Sequence, residues 1–506
     1  MRLRLSVAWI ILALLCGVVG AQEVAPPIGS NLSAVVSYSA DIPFVDLFKT
    51  ARPWISQRAG ADWGEGGPLD LTPEGWVRSL APGQYAETLM MDEFAHFPRG
   101  EYVLLYEGEG EIGFNFGSAR ILQSEPGRML IEPSFNSSLF LQILATNPEN
   151  PIRNIRLILP GFEASYAEQP FFPLFLERMA PFKVLRFMDW METNNSHIGE
   201  WDERPQVTDA TQSLGKGVAL EYLVALANTL GADAWFNMPH AASDEYVRRF
   251  AEQVRDTLNP SLRVYIEYSN ETWNGQFTQA SYVIEQGLAL GLSGDAFQAG
   301  LFYHSRRARE IFAIWEEVFG GTERLVRVVA AQAANVWTGE QVLDFEQAYE
   351  AVDAIAIAPY FGQRFGTPEQ AAQTLSLGLD GLFPALQADI AGEVSEWMRL
   401  FAALAANRGV VLVAYEGGQH LVGVAGMEND EALTALLQEA NRDPRMYDRY
   451  REYLAAWAAA GGGLFVNFSS ADAFSKWGSW GMLEYLAQPI EESPKYRALL
   501  DAIAGR

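Results

Sequence analysis

A regular alternation of apolar runs with helical segments constrains the fold of this chain more than any other feature. Beyond residue 165, short runs rich in branched and aromatic residues are separated by longer segments of helical period. This alternation predicts parallel strands joined by crossover helices. The apolar runs are 184–190, 232–239, 262–270, 326–331, 354–360, 410–415 and 464–468, and the clearest helical segments are 218–230, 244–257, 296–319, 383–407, 430–459 and 483–504.

One further apolar run near the N-terminus brings the number of strands to eight. We interpret Leu32–Tyr38 as this first strand, and eight parallel strands close a (β/α)8 barrel. A doubly wound sheet is the alternative, but no glycine-rich phosphate loop follows any early strand. The sequence therefore predicts an α/β fold whose main part is a TIM barrel.

Residues 83–160 follow a different pattern from the rest of the chain. Short apolar runs at 102–106, 111–116, 129–132, 139–144 and 155–159 are separated by glycine, proline and asparagine. Such spacing indicates a small all-β, sandwich-like module. We expect 22–82 to hold a leader and the first barrel strand, 83–160 the β module, and 161–506 the main part of the barrel.

The N-terminal residues 1–21 resemble a cleavable secretory signal. Arg2 and Arg4 precede an apolar run over 7–19, and small residues stand before Gln22. The run is too short for a stable membrane span, so we expect a secreted or periplasmic protein. A lipoprotein anchor at Cys16 is the alternative, which the bulky Leu15 disfavours.

Cysteine usage and charge exclude several classes of function. Cys16 is the only cysteine, so the mature chain has no disulfide, catalytic thiol or cysteine-based zinc site. The net charge of −27 argues against nucleic acid, anionic membranes and polyanionic substrates. A neutral substrate fits this charge best. Protein partners and oligomeric state are not predicted.

A metal site and a serine nucleophile are both disfavoured by spacing. His197, His240 and His420 could be drawn with Asp189 as metal ligands, but no two histidines have the spacing of a metal motif. No Gly-x-Ser-x-Gly elbow is present either. We therefore predict that the protein needs no metal or cofactor.

Polar and ionisable residues follow nearly every predicted barrel strand, where the chemistry of a TIM barrel is located. Two of these residues are glutamates, Glu271 after the fourth strand and Glu416 after the seventh. The other candidates, which we expect to bind substrate, are Arg186, Asp189 and Trp190 after the second strand, His240 after the third, Asn270 and Trp273 around the fourth, Tyr360 after the sixth, and His420 after the seventh.

Glu271 and Glu416 should point into the same barrel mouth. Two carboxylates about 5–5.5 Å apart carry out retaining glycoside hydrolysis, one as nucleophile and the other as acid/base. Taken singly, either glutamate could instead cap a helix or pair with an arginine. Their joint placement favours catalysis. Glu267, on the same strand face as Glu271 but deeper, we interpret as a structural carboxylate paired with an arginine.

The surroundings of the two glutamates predict different roles for them. Glu271 follows an apolar strand and lies near Trp273, so burial and a second carboxylate should raise its pKa. A raised pKa suits a general acid near neutral pH. Glu416, with Arg186 and Tyr360 expected nearby, should stay charged and act as the nucleophile.

The ordered set of strand ends resembles the clan A retaining glycoside hydrolases, a superfamily of (β/α)8 enzymes. The resemblance rests on Asn270-Glu271 after the fourth strand, Tyr360 after the sixth and Glu416 after the seventh. It implies that Glu271 is the acid/base and that Asn270 contacts the sugar 2-hydroxyl. It further implies that Glu416 is the nucleophile, with Tyr360 beside it.

Two more residues share the resemblance, and one position departs from it. Arg186 is similar to the strand-two arginine that keeps the nucleophile ionised in several of these families, and His240 to their strand-three histidine. The aromatic platform that the resemblance places under the sugar is not at the end of the eighth strand, where Phe468 stands. Trp477 or Trp480 could take its place as the platform under the sugar.

These observations lead to one functional hypothesis and one alternative. We predict a secreted retaining glycoside hydrolase that cleaves β-glycosidic bonds of a neutral poly- or oligosaccharide, and so takes part in polysaccharide degradation. The alternative is a non-catalytic carbohydrate-binding protein on a glycosidase-like barrel, which the tryptophan-rich loops and the β module would serve. The sugar and its linkage are not predicted, nor is endo or exo action.

Overall fold

A computed structural model describes residues 26–92, 96–135 and 137–506 of the chain. The predicted signal peptide, with Cys16, lies outside these described residues. The strands are, in chain order, β1 (Ile28–Asn31), β2 (Ile55–Arg58), β3 (Asp70–Leu71), β4 (Val77–Ser79), β5 (Gln84–Met91), β6 (Tyr102–Glu107), β7 (Gly110–Phe114), β8 (Ala119–Glu125), β9 (Arg128–Pro133), β10 (Leu139–Thr146), β11 (Arg153–Ile158), β12 (Val184–Arg186), β13 (Asp233–Met238), β14 (Val264–Tyr268), β15 (Leu325–Ala330), β16 (Ala354–Ile357), β17 (Val411–Ala414) and β18 (Phe465–Asn467).

Eight of these strands form a closed parallel barrel in the order β1-β12-β13-β14-β15-β16-β17-β18. The helices that surround it are α1 (Pro173–Met179), α2 (Leu220–Leu230), α3 (Asp244–Thr257), α4 (Thr278–Ala289), α5 (Ala296–Phe319), α6 (Val336–Asp344), α7 (Ala371–Asp389), α8 (Ser395–Arg408), α9 (Glu431–Arg442), α10 (Arg445–Ala459) and α11 (Pro494–Ile503). The predicted TIM barrel is therefore confirmed. No helix in the described part of the chain is long and apolar enough to cross a membrane.

The first barrel strand lies earlier than the sequence pattern suggested. β1 pairs with β18 through Ile28 and Phe465 and with β12 through Ser30 and Leu185, whereas 32–38 is not strand. The prediction of a strand at 32–38 was wrong because Val35 and Val36 are buried there without pairing with another strand. Branched apolar residues mark burial as much as they mark a strand.

An all-β part separates the first and second barrel strands. Its strands form two four-stranded antiparallel sheets, β2-β5-β10-β7 and β11-β6-β9-β8, and a two-stranded sheet, β3-β4. This confirms an additional small β module in the N-terminal part. Inward-facing side chains of these sheets, such as Tyr102 and Leu141, join the same apolar core as the barrel helices.

Alternation along the barrel strands divides the core into two layers. One set of side chains faces the surrounding helices, and the other fills the inside of the barrel, where Trp235, Tyr265, Val328 and Val466 pack together. Because side chains alternate along a strand, Tyr265 and Glu267 on β14 both point inward. The filled lower barrel leaves the carboxyl ends of the strands as the place for a site.

Candidate active site

A cleft of about 760 Å³ opens at the carboxyl end of the barrel. It is lined by residues that follow the fourth, sixth and seventh barrel strands, among them Glu271, Trp273, Tyr360, Tyr415 and His420. A cleft of this size holds a small ligand or one section of a polymer. The ends of the fourth, sixth and seventh strands, which the sequence singled out, therefore converge on one opening.

Arg186, the last residue of β12, is at the centre of a buried polar network below this cleft. Its side chain is fully buried, and its Nη1 atom donates to Oε1 of Glu416 at 2.9 Å and to Oδ1 of Asn31 at 3.1 Å. Nη2 donates to Oε2 of Glu267 and to Oδ1 of Asn270, each at 2.9 Å. One guanidinium group thus orients four side chains, which come from three other barrel strands or the loops that follow them.

Glu267 is a structural carboxylate paired with an arginine, as its position on the strand predicted. Besides the two bonds from Arg186, its Oε2 atom accepts bonds from Trp235 Nε1 at 2.8 Å and Asn237 Nδ2 at 2.7 Å. Its side chain is 1% exposed. A buried ion pair needs such additional donors to offset desolvation, so Glu267 holds Arg186 in place.

Glu416 is held on both carboxylate oxygens. Oε1 accepts from Arg186, and Oε2 accepts from the hydroxyl of Tyr360 at 3.0 Å. Burial raises the pKa of Glu416 to about 8; the Arg186 guanidinium opposes this shift, and the charge of Glu271 adds to it. Each donor therefore favours the ionised form of a carboxylate that burial alone would keep protonated.

The backbone at Glu271 has a conformation that few residues other than glycine adopt. Its φ angle is +41°, and that of Ser269 two residues earlier is +58°. Left-handed φ at non-glycine residues costs about 1–3 kcal/mol each and is concentrated at functional sites. The conformation directs the Glu271 carboxylate into the cleft. There Oε1 accepts from Tyr415 Oη at 2.6 Å and Oε2 from Asn274 Nδ2 at 2.9 Å.

Asn270 belongs to the same buried network. Its side chain accepts from Arg186 and donates through Nδ2 to Oδ1 of Asn194 at 3.0 Å, and its backbone carbonyl accepts from Gln279 Nε2 at 2.9 Å. The residue is 2% exposed. Its amide orientation is therefore fixed by the protein, with one Nδ2 hydrogen left for another acceptor.

Aromatic side chains form one wall beside Glu416. Trp480 packs edge-on against Tyr360 at 5.9 Å and against His420 at 4.9 Å. Burial lowers the pKa of His420 to about 4, so its ring is neutral at ordinary pH. Of the two tryptophans that could replace an aromatic residue at the end of the eighth strand, Trp480 is the one beside Tyr360.

Trp477 and Trp190 lie away from the cleft, contrary to the expectation that they bind substrate there. Trp477 is 65% exposed and stacks under the ammonium group of Lys476. Trp190 is 1% exposed; its Nε1 atom donates to the carbonyl of Ser33 at 3.0 Å, and its ring packs on Phe44. The chain folds back after β12, which places Trp190 in the core.

Asp189 and His240 border the site without lining the cleft described above. Asp189 keeps some contact with solvent, but burial of its carboxyl group raises the pKa of Asp189 to about 7. The Arg186 guanidinium opposes this shift. Burial also lowers the pKa of His240, whose ring packs edge-on against Tyr282. Among the described residues, no three acidic, histidine or cysteine side chains are grouped as metal ligands.

Several residues of the site were missed by sequence reasoning. Gln332 and Gln363 line the cleft after the fifth and sixth strands, and applying the strand-end rule to β15 would have found Gln332. Asn31, at the end of β1, was lost with the misplaced first strand. Asn274 was inside the fourth-strand motif but received no role, and Trp397 lies on α8, which no strand-end rule reaches.

Comparison with known proteins finds similarity to solved structures only. No family model and no curated sequence matches the chain. Among solved structures, it is similar to a modular endo-β-1,4-mannanase of glycoside hydrolase family 26 from Cellulomonas fimi, with 11% identity and a TM-score of 0.33, over 56% of this chain and 56% of that one. The chain thus spans just over half the length of the mannanase.

Two further matches have similar values. A 4-O-α-L-rhamnosyl-β-D-glucuronidase from Fusarium oxysporum 12S gives 12% identity and a TM-score of 0.40, over 63% of this chain and 60% of that one. A family 5 lichenase from Caldicellulosiruptor sp. F32 gives 12% identity and a TM-score of 0.37, over 65% and 83%. These three proteins are glycoside hydrolases. Identities this low carry no information on substrate or on catalytic residues.

Proposed function

We propose that this protein is a retaining glycoside hydrolase that cleaves β-glycosidic bonds of a neutral poly- or oligosaccharide. The observation that carries the proposal is the pair of glutamates at one barrel mouth. Glu416 is held by Arg186 and Tyr360, and Glu271 lines the cleft with Tyr360. Two carboxylates in different surroundings are what a double displacement requires.

The reaction divides into two steps. In the first, ionised Glu416 attacks the anomeric carbon, the glycosidic bond breaks, and Glu271 gives its proton to the departing oxygen. In the second, Glu271 takes a proton from water, the water oxygen attacks the anomeric carbon, and the bond to Glu416 breaks. Glu271 has regained its proton and Glu416 its charge at the end of the cycle.

The lining of the cleft supports a neutral substrate. Apart from Glu271, its side chains are uncharged, since the lowered pKa of His420 keeps that ring neutral. No cation lies there among the described residues to hold a carboxylate or sulfate on the sugar. The side chains suited to hydroxyl groups and to sugar faces are those of Asn274, Gln276, Gln332, Gln363, Trp273 and Trp397.

Single replacement of the two glutamates by alanine tests this function. The wild type and both variants are assayed on a panel of neutral β-linked polysaccharides and aryl β-glycosides, with and without azide. We expect both variants to lose orders of magnitude in turnover. Azide should restore part of the turnover of each variant, and the glycosyl azides formed by the two variants should have opposite anomeric configurations. The exposed Glu393→Ala is the control and should retain wild-type activity.

Two outcomes would contradict the proposal. If neither replacement slows hydrolysis of a glycan that the wild type cleaves, the chemistry lies elsewhere. If the wild type is retained in affinity electrophoresis on a glycan but releases no reducing ends from any member of the panel, the protein is a carbohydrate-binding protein instead.

Export is the second part of the proposal. Residues 1–21 have the charge, length and small terminal residues of a secretory signal. Expression with this segment should yield a protein outside the cytoplasm whose first residue is Gln22. N-terminal sequencing decides the point, and a cytoplasmic protein that keeps Met1 would contradict it.

A further inference from the structure

We infer that Tyr415 and Asn274 are positioning residues for Glu271, and that Tyr415 fixes the acid/base group relative to the strand that carries the nucleophile. This inference rests on the proposed function. It concerns two side chains to which the sequence pattern gave no role in the reaction. Their contacts with Glu271 are direct and short.

The two side chains occupy both oxygens of the Glu271 carboxylate. Tyr415 Oη donates to Oε1 at 2.6 Å, and Asn274 Nδ2 donates to Oε2 at 2.9 Å. The amide of Asn274 cannot turn over freely, because its Oδ1 atom accepts from the backbone N–H of Gln276 at 3.1 Å. With a donor on each oxygen, rotation of the carboxyl group about its last bond is blocked.

This arrangement is compatible with both halves of the catalytic cycle. A carboxylate oxygen has two lone pairs, and Tyr415 and Asn274 each use one. The remaining lone pairs can carry the catalytic proton or face substrate. Both donors can therefore keep their bonds while Glu271 gives up its proton and takes it back, so the acid form and the base form have the same orientation.

Tyr415 is held by contacts with barrel strands other than the one that carries Glu271. It is 1% exposed and immediately precedes Glu416. Its backbone N–H donates to the carbonyl of Ile357 at 3.1 Å, and its own carbonyl accepts from Asn31 Nδ2 at 2.9 Å. Its ring also lies against the Arg186 guanidinium, 5.0 Å from the ring centre. The position of its hydroxyl is thus set by the seventh strand.

The bond between Tyr415 and Glu271 therefore crosses the barrel mouth. Glu271 follows β14, while Tyr415 follows β17, and the closed barrel places β15 and β16 between them. Glu271 also stands on a left-handed backbone with φ of +41°, a conformation that surrounding contacts must maintain. A hydroxyl fixed on the nucleophile's strand supplies such a contact and sets the distance between the two catalytic groups.

Leaving-group dependence distinguishes positioning of the acid from a structural role. Tyr415→Phe and Asn274→Ala are compared with wild type on a dinitrophenyl β-glycoside, whose leaving group needs no proton, and on an unactivated oligosaccharide. We expect kcat/KM to fall about 10- to 100-fold on the oligosaccharide and less than about threefold on the dinitrophenyl substrate, where acid assistance contributes little. The matched control is Tyr496→Phe, which removes a buried hydroxyl that donates to the carbonyl of Arg178 at 2.8 Å.

The outcomes separate this inference from the proposed function. If the wild type hydrolyses glycosides but both variants lose activity equally on the two substrates, or lose none, Tyr415 and Asn274 do not position the acid. If Tyr415→Phe does not fold, Asn274→Ala decides alone. A wild type that hydrolyses no glycoside overturns the proposed function itself.

Discussion

The Nη1 atom of Arg186 lies 2.9 Å from Oε1 of Glu416, and the arginine is fully buried. Burial raises the pKa of Glu416 to about 8 in spite of this cation. If Glu416 is the nucleophile, as proposed, it must be ionised to react. The ascending limb of the pH profile should then lie well above the ordinary range for glutamate, and Arg186 keeps it from lying higher still.

Removing the Arg186 guanidinium should therefore shift the ascending limb of the pH profile to higher pH. Arg186→Met is combined with Glu267→Gln so that the Glu267 carboxylate is not left buried without its cation, and Glu267→Gln alone is the control. We expect the double variant to lose most of its kcat/KM near pH 7 and to recover part of it at higher pH. A kcat/KM profile whose ascending limb matches that of the control would contradict the role of Arg186.

Tyr360→Phe tests the second donor to Glu416. The hydroxyl of Tyr360 donates to Oε2 at 3.0 Å, and a hydrogen bond to a charged group contributes about 1.5–3 kcal/mol. We expect kcat/KM to fall by about 10- to 100-fold, with a melting temperature close to that of the wild type. Unchanged kinetics would show that the bond does not act in the reaction.

The two tryptophans after the eighth strand form a matched pair of variants. Trp480 packs against Tyr360 and His420, whereas Trp477 is 65% exposed. Trp480→Ala should raise KM about fivefold, since an aromatic contact such as those of Trp480 with Tyr360 and His420 contributes on the order of 1 kcal/mol. Trp477→Ala should leave KM within about twofold. A larger effect of Trp477→Ala than of Trp480→Ala would show that the exposed Trp477, and not Trp480, is the platform under the sugar.

Asp41 gives a prediction on stability rather than on activity. Burial raises the pKa of Asp41 to about 7, against a hydrogen bond from Ser470. The folded state therefore binds more protons than the unfolded state between about pH 4 and pH 7, and stability falls as the pH rises through that range. Asp41→Asn lacks this penalty, so its melting temperature should exceed that of the wild type by a few degrees at pH 8 and by much less at pH 4. A difference that does not change with pH would contradict the assignment.

Strand ends could be predicted from the sequence because barrel strands are buried apolar runs that stop at polar residues. This rule located Arg186, Asn270, Glu271, Tyr360 and Glu416, which the structure brings together at one mouth. The helical period likewise identified long helices, since 244–257 and 296–319 coincide with α3 and α5. Position along a strand further predicted the pairing of Glu267 with an arginine.

Other features depend on how loops fold back, which periodicity does not reveal. Trp190 stands four residues beyond Arg186, and only the return of the chain places it in the core. Trp397 reaches the cleft from a helix. The bond of Tyr415 to Glu271 joins residues 144 positions apart, and no local pattern marks such a contact.

Trapping of the covalent intermediate tests the central claim most directly. The protein is incubated with a panel of dinitrophenyl 2-deoxy-2-fluoro-β-glycosides, which form the glycosyl-enzyme but hydrolyse it slowly, and the labelled peptide is sequenced by mass spectrometry. We predict one sugar per chain, attached to Glu416, and no label in Glu416→Ala. A label on Glu271 or on any other residue, or hydrolysis by the wild type without any trapped adduct, would contradict a double displacement at Glu416.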